Sequence, residues 1–259
     1  MRAQQSNNPV FQRSETLARA AQQSYGFRTP GASDEAVYAP TDRMTLDDVI
    51  VKTGILLGIV VVVGGVSWVA DLGLGVGMLA GLVGFGLAMV NIFKKQVSVP
   101  LVLAYAGVQG VFLGTVSHYF NTEFEGGIVV QAVLATGVVF AAVLAAYKSG
   151  KLRATPKFTK VVTIGLVALV GLVVVNFLIS LFAGPDALGI RDGSPLAILV
   201  SIGLIAFGAL TFVLDFDQAD RMIVAGVPEK ESWRVAFGLV VGLVFLYLEI
   251  LRLLSYFRD

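Results

Sequence analysis

Seven long stretches of nearly uninterrupted apolar residues run through this chain, and that pattern constrains its fold more than any other feature. A hydrocarbon layer about 30 Å thick is crossed by roughly 20 residues of helix. Stretches of that size lie near residues 49–70, 76–93, 100–119, 127–147, 161–183, 195–216 and 233–257. Strands of a membrane barrel would alternate polar and apolar residues, whereas Gly58 to Gly65 and Leu166 to Val175 are apolar throughout. The composition agrees: 56% of residues are hydrophobic and 14% charged, against about a quarter charged in a soluble domain. The expected fold is therefore an all-α integral membrane bundle of seven transmembrane helices, residues 45–259, behind a polar, mostly disordered N-terminal tail, residues 1–44. That tail lacks an apolar signal segment, and a short helix near Glu15 to Gln23 is its one candidate element.

Helix boundaries carry local signals. Thr45-Leu-Asp-Asp48 reads as an N-terminal cap, with acids favoured by the helix dipole. Pro100 and Pro195 fall where a first turn tolerates proline. The distribution of Lys and Arg orients the bundle. Of the 19 such residues, Arg191, Arg252 and Arg258 fall on one side of the membrane, and all others except Lys52, inside the first helix, on the side of the N-terminus. This places the N-terminus in the cytoplasm and the C-terminus outside, in the inner membrane of a cell. Trp68, Tyr119, Tyr147 and Trp233 fall near interfaces, as an aromatic belt would. Glycine pairs four apart, Gly54/Gly58, Gly73/Gly77/Gly81, Gly110/Gly114 and Gly238/Gly242, predict close helix crossings within the monomer, with dimerisation as the alternative.

The chain excludes several chemistries. It has no cysteine and one histidine, His118, so thiolate catalysis and a histidine-rich metal site are ruled out within one chain. Its net charge of +1 gives no pull toward nucleic acid. No phosphate-binding glycine loop and no nucleophile–base arrangement occurs, so nothing points to an enzyme or to a bound cofactor.

An ionisable side chain at the membrane centre costs about 2.5–3.5 kcal/mol on insertion scales, so the few such residues carry the chemistry. Lys52 is expected to snorkel to the near interface. Gln109 and Asn176 are expected to hydrogen-bond between helices, and Gln131 is nearer an interface. The densest cluster is Leu214-Asp-Phe-Asp-Gln-Ala-Asp220 at the end of the sixth helix. There Asp215 follows apolar residues directly, Asp217 and Asp220 share a face, and Asp220 reads as solvated. In Leu246-Tyr-Leu-Glu-Ile-Leu-Arg252, Glu249 is deep in the last helix, three residues before Arg252, its candidate ion-pair partner.

With these residues the chain resembles the Bax inhibitor-one family, also called YccA-like or transmembrane Bax-inhibitor-motif proteins. The resemblance rests on Leu214-Asp215-Phe216-Asp217-Gln218, on Leu246-Tyr247-Leu248-Glu249, and on Tyr105-Ala-Gly-Val-Gln109-Gly110-Val-Phe-Leu-Gly114. Asn8-Pro-Val-Phe11 and the segment Lys148 to Phe158 look like its actinobacterial branch. Two positions depart from the family pattern: Glu249 stands for the usual Asp, and Gln109 for the usual Glu. The resemblance implies six helices around a central seventh. It also implies a pH-sensitive calcium leak, in which acids on the sixth and seventh helices share a proton and act as sensor and gate. Transferred here, the pair is Asp215 and Glu249, with Asp217 as alternative partner, and the three would coordinate calcium weakly in passing. Two nearby carboxylates in a low dielectric cannot both stay ionised, and the ionised state suits a hard divalent cation.

Helix geometry sets a condition on that pair. Pro228 to Glu249 is 21 residues, roughly 31 Å of helix, while Asp215 to Gly226 is 11, roughly 16 Å. A straight hairpin separates the two carboxyls in depth, so pairing requires a bend, for which Gly238 and Gly242 are the candidates. Two other functions stay open. One is a regulator that binds a membrane protease or other membrane partner, for which the tail is a handle. The other is a proton-coupled transporter of a small solute, although no internal repeat supports one.

Overall fold

The computed structural model describes residues 43–124, 126–184, 189–190 and 192–258. The expected tail and its Glu15 to Gln23 helix fall outside these, save for Arg43 and Met44.

The cap signals act as their chemistry dictates. The Thr45 hydroxyl accepts from Asp48 N at 3.2 Å, and Thr45 N donates to the Asp48 carboxylate at 2.8 Å. That reciprocal box opens α1 (Leu46–Val69). Helices α2 (Gly73–Phe93) and α3 (Val99–Glu123) follow, then α4 (Ile128–Lys148). Helix α5 (Pro156–Ala183) starts five residues before its apolar run, because Thr155 accepts from Phe158 N and Pro156 occupies the first turn. Ser194 caps α6 (Pro195–Val224) in the same way. That helix continues past Phe216, where its apolar run ends, and an ion pair at helical spacing, Asp217 to Arg221 at 2.7 Å, lies on the extension. A 3-10 turn (Glu229–Glu231) leads into α7 (Ser232–Ser255). All seven helices are long and apolar enough to cross a bilayer. Among the described residues there is no β-strand, only one antiparallel bridge between Arg43 and Pro228.

Burial identifies the centre. Half of the most apolar stretch of α3 and of α7 is buried inside the protein, against 17% in α2 and in α4. Helix α7 packs on α1, α3, α4 and α6. Helices α2 and α5 make their principal contacts with α3 and α6, so four helices, not six, form the main wall around α7.

Lipid tails are as apolar as leucine, so helices associate through close packing, and glycines provide it. A side chain on Gly114 would strike the Gly64 backbone, and one on Gly110 would lie 2.9 Å from the Val60 carbonyl; here α1 and α3 cross backbone to backbone. Along α2 and α3 the partners run Gly77 with Thr115, Gly81 with Phe112 and Gly84 with Gln109. Along α6 and α7 they run Asp215 with Gly238, Phe212 with Gly242, and Gly208 with Phe245. The Gly54/Gly58 pair is different: a side chain on either would meet nothing within 4 Å, so it makes no crossing.

Candidate functional site

The α6–α7 ladder fixes the depth of every acid in the hairpin. Its register is regular and antiparallel and runs unshifted past Gly238 and Gly242. Asp215 projects onto α7 at Gly238, where a Cβ would lie 3.6 Å from Oδ1. Continuing the register brings Glu249 level with Leu204. Glu249 is thus eleven residues beyond Gly238, roughly 16 Å along the helix. The structure therefore does not bring Asp215 and Glu249 together, and the shared-proton pair expected from the resemblance is absent.

Each acid has its own surroundings. Glu249 is buried, 4% exposed, and its Oε1 accepts from Arg252 Nη1 at 3.2 Å. Asp217 is bound by Arg221, and Asp220 accepts from the Tyr147 hydroxyl at 2.6 Å. Asp215 is half-buried and has no hydrogen bond or ion pair among the described residues. The expected joint calcium ligands, Asp215, Asp217 and Glu249, are separate. No three acids or histidines converge on a metal-sized space among the described residues.

The neutral candidates are also placed. The Gln109 side chain, 7% exposed, fills the space left by Gly84 on α2, a packing contact instead of the expected hydrogen bond. Asn176 is buried in α5. Gln131 accepts from Arg258 at 2.8 Å near the opposite end of the bundle.

Sequence reasoning missed a cluster at the base of the hairpin. Lys52 does not snorkel. It is 8% exposed, and its ammonium donates to the Glu229 carboxylate at 2.7 Å, the Ser232 hydroxyl at 2.7 Å and the Glu229 carbonyl at 3.2 Å. Ser232 in turn donates to the Glu229 carbonyl, and the Trp233 ring lies 5.7 Å from Lys52 Nζ. Beside this knot Met44 N donates to the Val227 carbonyl at 2.9 Å, and the Met44 side chain is buried. The residues expected to end a free tail are instead docked on the α6–α7 loop. The signals available were a lysine inside an apolar helix and an acid after a proline, but nothing local links positions 177 residues apart.

These features define a multi-pass membrane protein whose last helical hairpin and closing loop carry Asp215, Asp217, Asp220, Glu229 and Glu249. The profile of the family described as Bax inhibitor 1 like matches residues 8–259, essentially the whole chain, and the protein belongs to that family. No curated protein matches it significantly.

Proposed function

We propose that the protein is a calcium-permeable leak pathway of the inner membrane, with the N-terminus cytoplasmic, gated by protonation of Asp215. The observation that carries this reading is the position of Asp215: a half-buried carboxyl on a membrane-spanning helix, against a glycine of the central helix, with no partner among the described residues. A neutral carboxyl is tolerated there. An ionised one in apolar surroundings must recruit water or a cation. Glycine at 238 leaves room for either, and oxygen ligands suit a hard divalent ion. The gate proposed is a single carboxyl, not a pair, because Glu249 already has the Arg252 guanidinium beside it and lies far off in depth. Deprotonation opens the path, so calcium flux into proteoliposomes rises as pH rises. A flux that is flat with pH, or absent at every pH, overturns the reading.

A second reading has its own observation. The N-terminal segment is tied to the α6–α7 loop through Arg43–Pro228 and Met44–Val227, next to the Lys52 knot. A membrane regulator that holds a protease or other membrane partner through residues 1–42 would act on the hairpin through this tie. Deleting residues 1–42 then abolishes recovery of the partner after crosslinking, and undiminished recovery rules it out.

A further inference from the structure

A cleft runs between α1 and α4, floored by α6 and α7 at one end and by α3 and α7 at the other. Near the basic loops it is a cavity of about 1000 Å³, walled by Ile50 and Gly54 on one side and Leu144 and Tyr147 on the other. A second cavity of about 380 Å³, with Leu57 common to both, continues it toward the opposite face. The second is walled almost wholly by apolar groups. Its hydroxyls are already used: Ser117 and Tyr247 bond each other at 2.6 Å, and Thr136 donates to the Ala132 carbonyl at 2.7 Å. Ile50 and Val133 on the two walls are more than half exposed, so the cleft opens sideways into lipid.

Two observations say what fills it. The first is glycine. Gly54 and Gly65 on α1 and Gly137 on α4 line the cleft, and a side chain on any of them would meet nothing within 4 Å. They hold no helices together; they keep the cleft wide. The second is charge. From Gly126 to Gly184 the chain contains no Asp or Glu, yet its turn carries Lys148, Lys151, Arg153, Lys157 and Lys160. Lys148 and Arg153 line the mouth and form no ion pair among the described residues. Asp217 there is paired with Arg221, whereas Asp220 accepts from the neutral Tyr147 hydroxyl and keeps its charge, so Lys148, Arg153 and Arg221 outnumber the two acids at the mouth.

We propose that the α1–α4 cleft binds an anionic phospholipid of the leaflet facing the basic loops, with an acyl chain along the glycine-lined groove and the phosphate at Lys148 and Arg153. Basic pockets between membrane helices on the cytoplasmic side are suited to anionic head groups. A free phosphate would leave the apolar length of the cleft unused, and a zwitterionic lipid would bring its own cation to the basic mouth. This site is independent of any gating at Asp215.

The test is native mass spectrometry of the full chain in detergent, titrated with phosphatidylglycerol or phosphatidylcholine of identical acyl chains. Phosphatidylglycerol is retained in roughly tenfold excess. K148Q/R153Q brings the ratio near one, and G54F lowers retention of phosphatidylglycerol with the basic residues intact. Inorganic phosphate does not displace the lipid. Equal retention of the two lipids by the native chain overturns the proposal. So does an excess unchanged in K148Q/R153Q, retention of phosphatidylglycerol unchanged in G54F, or displacement by inorganic phosphate.

Discussion

An ammonium group inside a helix bundle is stable only where oxygen atoms replace its water, and Lys52 has three within 3.2 Å. Replacing it with methionine keeps the apolar stem and removes the donors. Hydrogen bonds to a charged group contribute about 1.5–3 kcal/mol, so K52M is expected to lower the thermal midpoint in detergent by a corresponding amount. Glu229 is half-exposed, so its carboxylate turns to water and is not stranded. An unchanged midpoint would mean that the knot does not hold the loop. Reading residues from the chain succeeded where the cause was local: the Thr45 cap, and the pairing of Glu249 with Arg252 one turn on. It failed for Lys52, because a side chain's partner depends on which distant loop the fold delivers. It also failed for the Asp215–Glu249 pair. There the spacing along the two helices already pointed to unequal depths, and the unshifted ladder keeps them so.

At the scale of the helix, glycines divide by what a methyl group would meet. On Gly114 it would strike the Gly64 backbone, which cannot move aside without opening the α1–α3 crossing. On Gly107 of the same helix it would meet nothing. Overpacking costs about 1–3 kcal/mol, so G114A loses stability on that scale, whereas G107A stays within about 0.5 kcal/mol. Equal midpoints for the two variants would remove close packing as the basis of the crossing. Existence and order of the helices were legible in the sequence because apolar length is a property of each segment alone. Their ends were less so. Helix α6 outruns its apolar stretch by eight residues, to Val224, because an Asp217–Arg221 pair and helical propensity extend a helix into water where hydropathy falls silent. Nor does spacing distinguish Gly54/Gly58 from Gly110/Gly114; the first faces open space and the second faces backbone.

For the whole molecule, seven crossings would put the two chain ends on opposite sides, with the basic loops expected in the cytoplasm. The chain has no cysteine, so single cysteines report sidedness cleanly. S149C in the α4–α5 loop should resist a membrane-impermeant maleimide in intact cells, and N121C near the end of α3 should react; the reverse pattern would invert the assignment. With that orientation Asp215 sits toward the cytoplasmic end of the α6–α7 contact and Glu249 toward the outer end. Under the proposed gating, proton sensing falls to Asp215 alone, while Glu249 is paired with Arg252 at a separate depth of the central helix. The most direct measurement is the pH profile of calcium flux in proteoliposomes carrying the wild-type chain, D215N or E249Q. Flux that rises with pH in the wild type, is flat in D215N and still rises in E249Q is the result this account predicts. A pH response that survives in D215N, or is lost equally in both variants, would contradict it.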